Sequence, residues 1–365
     1  MKLTASTSRV RLAAASVAAL ALTLTGCAST GDDEAVKVAL LLPDTITPRY
    51  ENYDRPYFEE GLKATCADCV FLYNNADSDA AVQRQQAEDV VTNGAGAIVI
   101  TPVDSDAAAA IAQTAADASV PLISIGRLVQ NADIAWSVTM DVAEAGRLKA
   151  QALVDALEAN GTPTGPIVMI NGAPGDTDDA QMKAAAKEVF EGAGVEIAME
   201  YDTPDWDPSK AQEQMDQAIT SLGRDGFTGV YSSNDGMAGG AIAAMKSAGI
   251  DPSTRPITGL DADVAALQRI IAGDQYMTVF QDIHDMAFKA AEIAVILASG
   301  EEPGAEYAAT TVNNGKVDVP TYLYRISAIT QDNINDELFT TGFVSATDVC
   351  TADFADACEA LGIDF

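Results

Sequence analysis

The stretch GVYSSNDGMAGGAIAAM runs from Gly229 to Met245. It opens as an apolar run, passes through Ser232-Ser233-Asn234-Asp235, and continues in small residues suited to a helix. A strand that ends on Asn and Asp just where a helix starts has two explanations. One is capping, because Asn or Asp accepts hydrogen bonds from the free N–H groups of a helix start. The other is a ligand site, because open parallel α/β sheets bind ligands beyond the carboxyl ends of their strands.

The same alternation recurs along the chain. Strand candidates are 36–43, 70–75, 96–102, 120–126, 134–140, 166–174, 195–201, 229–234, 255–261 and 276–282, mostly continuous apolar runs. Such runs suit strands buried on both faces. Ala-rich helical segments lie between them, including Ala80–Asn93, Val142–Ala159, Asp178–Gly192 and Pro208–Leu222. Strand–helix alternation implies βαβ units and parallel sheets. So many strands exceed a comfortable open sheet, so the fold class is α/β with two doubly wound, Rossmann-like lobes.

The chain has 365 residues, 48% of them hydrophobic, with a formal net charge of −33. That charge repels phosphate backbones, so nucleic acid is not an expected partner. Lys2, Arg9 and Arg11 precede an apolar stretch from Leu12 to Thr25, as in a signal peptide. Leu24-Thr25-Gly26-Cys27 resembles a bacterial lipobox, which makes Cys27 the expected lipidation site and 28–35 a tether. The expected location is the outer face of the cytoplasmic membrane, held by lipid. Four other cysteines remain, and an exported chain with an even count reads as disulfides. The local pairs Cys66–Cys69 and Cys350–Cys358 are preferred over a redox CxxC or a zinc site.

Strand ends carry a second pattern. PDTITPRYENYDR, NNADSD, TPVDSD with Asp104, ISIGR, NGAPGDTDD, YDTPDWD, SSND, GLDAD and VFQD place Asp, Asn, Arg or Gln at a carboxyl edge. Many are caps, yet so many describe a cleft lined by hydrogen-bonding groups, suited to a polyhydroxylated ligand. Tyr50 and Trp206 stand in polar loops, where a large ring is placed to stack on the C–H face of a sugar.

PRYENYDRPYF, YNNADSDAAVQRQQAEDVVTNGAGAIVITPVDSD, QNADIAWSVTMDVAEAGRLKAQALVDAL, SNDGMAGGAIAAM, GLDADVAALQRIIAGDQYMTVFQD and TTVNNGKVDVPTYL occur in that order. Over Val36 to Phe343 the chain resembles the type I periplasmic sugar-binding proteins of ABC transporters, in their D-xylose-binding and multiple-sugar-binding branch. The resemblance implies three crossovers, near 139–142, 261–282 and 316–320. After the signal peptide 1–26 and the lipidated cysteine with its tether at 27–35, the expected lobes are an N-terminal one of 36–139 plus 282–316 and a C-terminal one of 140–281 plus 317–365. Arg49 and Tyr50 match an arginine–aromatic pair, Arg127 an arginine donor, and Trp206 a second stacking ring. Asn234 matches a ligand-binding asparagine, Asp261 an acceptor of sugar hydroxyls and Gln281 a polar crossover position, which leaves Asp235 to cap the helix. The implied partners are a monosaccharide, such as a xylose-like pentose or related aldose, and an ABC permease with a cytoplasmic ATPase. A monomer with no cofactor and no metal is expected.

The chain departs from the family pattern at three places. Gly126 precedes Arg127 where an aspartate is usual, Asp178-Asp179 replace an Asn-Asn pair, and Gln281 stands for a lysine. Asp178 or Asp179 is expected to compensate for Gly126 from the other lobe. An amino sugar, a nucleoside and a furanose signal are the alternative ligands. An enzyme is the weaker reading: GxSxG, HExxH, Walker and GxGxxG motifs are absent, and His284 reads as a helix-start surface residue. The pair Asp261 and Asp263 leaves a carboxylate glycosidase as the least favoured alternative. A sugar-responsive repressor shares the lobed plan, but needs a DNA-binding headpiece that the sequence lacks.

Overall fold

The computed structural model describes residues 35–365. The expected signal peptide, Cys27 and most of the tether lie outside the described residues. The first half of the chain alternates β1 (Lys37–Leu42), α1 (Arg55–Thr65), β2 (Val70–Asn75), α2 (Ala80–Thr92), β3 (Ala97–Ile100), α3 (Ala109–Asp117), β4 (Leu122–Ile125) and β5 (Trp136–Thr139). There follow α4 (Val142–Ala159), β6 (Ile167–Asn171), α5 (Thr177–Ala193), β7 (Ile197–Asp202), α6 (Pro208–Leu222), β8 (Gly229–Ser232) and α7 (Asp235–Ser247). The chain ends with α8 (Val264–Ala272), β9 (Thr278–Gln281), α9 (Ile283–Ala298), β10 (Thr310–Asn313), β11 (Asp318–Leu323), β12 (Ile326–Ile329), α10 (Ala346–Val349) and α11 (Ala355–Ala360).

The first sheet has the order β10-β11-β5-β4-β3-β1-β2, parallel except for β10. Its strands are apolar throughout because both faces are covered. Val38, Leu40 and Leu42 of β1 join one core, and Ala39 and Leu41 join the core on the opposite face. The second layer is β7-β6-β8 followed by β9-β12. Two isolated parallel bridges, Val230 to Ile257 and Leu260 to Val279, join these pieces. The expected strand at 255–261 is therefore only a pair of bridges. Pro256 cannot donate to a ladder, and a side chain at Gly259 would collide with the Asp235 carboxylate, so the segment runs too close to α7 to pair regularly.

The chain passes between the layers three times. The first passage follows β5 and the second lies between β9 and α9. The third runs from Leu323 to Ile326 rather than at 316–320, because β11 pairs in parallel with β5. Residues 318–323 thus belong with the first sheet, which corrects the expected lobe boundary. Strands β10 to β12 carry weak sequence signals, since β10 is exposed and β11 contains Pro320.

The last residues form a cap on α8. Ile334, Leu338, Val349 and Ile363 pack with Leu267 and Ile270. Cys350 is bonded to Cys358, and Cys66 to Cys69, the two local pairs that were expected. His284 is exposed at the start of α9, with its ring stacked on Phe288 at 4.2 Å.

Candidate functional site

Both layers follow the strand order 2-1-3-4-5, and in such sheets the crevice opens where the order reverses, between the first and third strands. The loops after β1 and β3 face those after β6 and β8 across a cavity of about 60 Å³. Arg49, Tyr50, Thr101 and Arg127 line it from the first layer, and Asp176, Asp178, Trp206, Asn234 and Asp261 from the second. Gln281 and Tyr324 complete the wall at the passages between layers.

Arg49 is held on two sides. Its Nε and Nη2 donate to Asp54 at 3.2 and 2.9 Å, and Nη1 lies 3.5 Å from Asp261 Oδ1. Gln281 ties this cluster together. Its Oε1 accepts from Arg49 Nη1 at 3.0 Å and from the Tyr324 hydroxyl at 2.9 Å, while its Nε2 donates to Asp261 at 2.8 Å. Asp261 has φ 110°, a conformation that costs free energy in an L-residue and turns its carboxylate into the cavity. Burial pushes its carboxyl up to about 7, with Arg49 opposing the shift.

Arg127 spans the cleft. Its Nε meets Asp176 Oδ2 at 2.6 Å, and Nη1 donates to the carbonyl of Pro102 at 3.0 Å. The acceptor beside Arg127 is Asp176, and of Asp178 and Asp179, the two expected to compensate for Gly126, only Asp178 reaches the cavity wall. Asp176 also caps α5, accepting from the N–H groups of Asp178 and Asp179 at 2.9 and 3.3 Å. Two more contacts join the layers nearby: Thr177 Oγ1 to Ser105 Oγ at 3.2 Å, and Ser105 N–H to the Gly175 carbonyl at 3.3 Å. Asp178 lines the cavity and accepts from Leu128 N–H, and burial with Asp176 nearby pushes its carboxyl well above the usual carboxylate range.

Trp206 sits in the wall with φ 56°, following Asp205 at φ 61°. These two left-handed residues turn the indole inward, and Gly172 makes room for it, since any side chain there would collide with the ring. The guanidinium of Arg127 lies 5.8 Å from the ring centre, within the range of a cation–π contact.

Asn234 takes the capping role expected of Asp235 and keeps its own expected place on the cavity wall. Asn234 Oδ1 caps α7 by accepting from Met237 N–H at 3.0 Å, and the side chain still borders the cavity. Asp235 is fully buried behind it and accepts from Gln275 at 2.7 Å, Thr278 at 2.9 Å and the Asp263 N–H at 3.2 Å. Its carboxylate thus braces the loop that carries Asp261.

Two expected ligand residues lie off the wall. Asp104 caps α3's approach, accepting from the N–H groups of Asp106 and Ala107, and borders an outer pocket with Asp44 and Trp206. Asp179 lies beneath the floor, where it accepts from Ser233 Oγ at 2.6 Å and burial raises its carboxyl to about 6. Lys149, fully buried, donates to the Ser233 carbonyl at 2.9 Å, and burial lowers its ammonium to about 8.

Sequence reading missed Thr101, Asp176 and Tyr324. Asp176 was visible in GDTDD as an acid just before a helix, but its cross-cleft partner was not. Tyr324 follows a strand that no periodicity announced. Thr101 has an ordinary place at the end of β3.

Comparison with known proteins agrees with this fold. Residues 38–302 match the family model described as periplasmic binding protein domain. The D-xylose-binding periplasmic protein of Escherichia coli is 30% identical over 84% of this chain and 91% of its own length. The multiple sugar-binding periplasmic receptor of Rhizobium radiobacter is 28% identical over 74% of this chain and 80% of its own. A carbohydrate transporter solute-binding protein from Chloroflexus aurantiacus, solved with D-glucose, superposes with a TM-score of 0.77 at 28% identity, covering 86% of this chain and 98% of its own. With its matching domain model, its full-length relatives and a cavity at both sheet reversals, the chain belongs to the periplasmic binding protein domain family.

Proposed function

We propose that this protein captures one neutral monosaccharide between its lobes and delivers it to an ABC permease. The observation that carries the reading is the pairing of charged groups around a small, polar cavity. Arg49 is neutralised by Asp54 and Asp261, and Arg127 by Asp176. Burial, with Asp176 nearby, pushes the Asp178 carboxyl well above the usual range. A site whose guanidinium donors and carboxylate acceptors already engage one another matches hydroxyls, which both donate and accept. Asp261 and Asp176 are already engaged by Arg49 and Arg127, so the ammonium of an amino sugar would compete with a guanidinium for either, and a neutral sugar is favoured.

The named ligands of the relatives, D-xylose, several sugars and D-glucose, support the same class. Binding without chemistry is the consistent reading, since Asp263 lies outside the cavity wall and does not flank a bond with Asp261. The sugar favours closure by touching both lobes, as the handful of cross-cleft contacts requires. Among the described residues no helix is long and apolar enough to cross a membrane. Cys27 supplies the anchor in this proposal, and loss of membrane association in a Cys27→Ser protein tests it.

Isothermal titration of unfolded-and-refolded protein tests the function. The panel is D-xylose, L-arabinose, D-ribose, D-glucose, D-galactose, fucose and glucosamine. Dissociation constants in the micromolar range or tighter for a neutral sugar are expected. No heat from any neutral sugar, or preference for glucosamine, overturns the reading.

A further inference from the structure

The wall of the cavity is bare at one place. Gly126, at φ +64°, borders the cavity, and a Cβ built on it meets a single neighbour within 4 Å, the Thr101 Cγ2 at 3.9 Å. The space in front of Gly126 is therefore part of the ligand cavity, with Thr101 at its end. Both backbone groups of Gly126 are occupied: its N–H donates to the Val138 carbonyl at 3.0 Å, and its carbonyl accepts from Thr139 Oγ1 at 2.9 Å. Thr101 is held the same way, its N–H on the Leu41 carbonyl at 3.0 Å and its carbonyl accepting from Gln83 at 2.8 Å. Its hydroxyl differs. Thr101 is 2% exposed, and Oγ1 has no hydrogen-bond partner among the described residues. A buried hydroxyl without a partner is costly, and native structures rarely keep one without a reason.

We propose that Thr101 and Gly126 form a subsite for an exocyclic hydroxymethyl group, so the preferred ligand is an aldohexose rather than an aldopentose. The inference rests on the monosaccharide reading and sharpens it. The CH₂ of the substituent takes the place a side chain would fill at 126, in contact with the Thr101 methyl. Its hydroxyl pairs with Thr101 Oγ1. A pentose such as D-xylose, which carries hydrogen at the carbon where D-glucose carries hydroxymethyl, leaves both the space and the hydroxyl unused. A site with a buried polar group rejects a ligand lacking its partner more strongly than an apolar pocket does.

D-Glucose and D-xylose differ by this group alone, so they are the probes. Calorimetry on stripped, refolded protein is expected to give at least about tenfold tighter binding of D-glucose. Thr101→Val should lower D-glucose affinity about tenfold and change D-xylose affinity less than about twofold. Thr101→Ser, which keeps the hydroxyl, should restore the preference. Gly126→Asn provides a second route, because Asn tolerates left-handed backbone. Its side chain fills the space, and D-glucose should lose more affinity than D-xylose. Equal or tighter binding of D-xylose overturns the inference and leaves the monosaccharide reading in place. So does a Thr101→Val protein that weakens both sugars alike. Heat from no panel sugar overturns both.

Discussion

Replacing Asp176 by Asn isolates the cross-cleft ion pair. Asn caps a helix as well as Asp does, so the bonds to Asp178 and Asp179 N–H are kept while the charge facing Arg127 is lost. The side chains of Arg127 and Asp176 are 10% and 2% exposed, so screening by solvent is slight in the closed form. A charge-assisted bond in such a place is worth about 1.5–3 kcal/mol. Removing one partner of a fully buried pair costs about 3–5 kcal/mol. Here the cost is limited, because the lobes can part and return Arg127 to water. The closed state should therefore lose about 1.5–3 kcal/mol relative to the open one, which is roughly a ten- to hundredfold loss of sugar affinity. Because the pair acts after encounter, the loss should fall on the dissociation rate. Stopped-flow fluorescence with calorimetry measures both rates and affinity. A change in affinity below about threefold, or a loss carried by the association rate, refutes the reasoning.

The remaining predictions concern protons, rings, the tail and the brace. Burial raises Asp235, Asp261 and Asp263 to about 7 each, so the folded ligand-free protein holds protons that the unfolded chain releases above its ordinary carboxylate range. Their contribution to stability therefore falls as pH rises through that window toward 7, then levels off, and melting curves from pH 5 to 8 should show it. Sugar hydroxyls donating to Asp261 favour its ionised form, so binding at pH 6 should release protons, and calorimetry in two buffers of different ionisation enthalpy would detect none if the assignment is wrong. Trp206 borders the cavity while Trp136 donates to the Tyr307 carbonyl at 3.0 Å inside the first lobe, so ligand-induced fluorescence change should vanish in Trp206→Phe and persist in Trp136→Phe. Replacing Cys350 and Cys358 by Ser should destabilise the C-terminal cap by about 2.5 kcal/mol on the loop-entropy relation, read as earlier chemical unfolding, and no shift would show that packing on α8 alone holds the cap. Asp235→Ala strands the Gln275, Thr278 and Asp263 donors and should cost about 3–5 kcal/mol of stability, and a loss under about 1 kcal/mol would mean the loop carrying Asp261 is braced by other contacts.

Much of this molecule is dictated by local sequence. The apolar runs that became β1, β3 and β4 are continuous because both faces are buried, and a run of that kind declares its environment without knowing its neighbours. The starts of α2, α4 and α6 are marked by Asp79, Asp141 and Asp207, each of which accepts from N–H groups two or three residues on. The disulfides close short loops, so their pairing is local. Arg49, Tyr50, Arg127, Asp178, Trp206, Asn234, Asp261 and Gln281 all reached the cavity wall because strand ends are where such sheets bind ligands.

Tertiary structure decided what depends on distance across the fold. Asn234 and Asp235 are adjacent acceptors with nearly equal capping ability, and only the approach of Gly259 and Gln275 determines that Asp235 is buried and Asn234 caps. β11 is specified by an open edge on β5, not by its own pattern. Arg127 finds Asp176 because two lobes meet, an encounter with no trace in spacing along the chain. Sequence sets which groups stand at the strand ends, since that requires only periodicity and caps. Which of them touch is set by packing, because a contact between distant segments is a property of the closed fold.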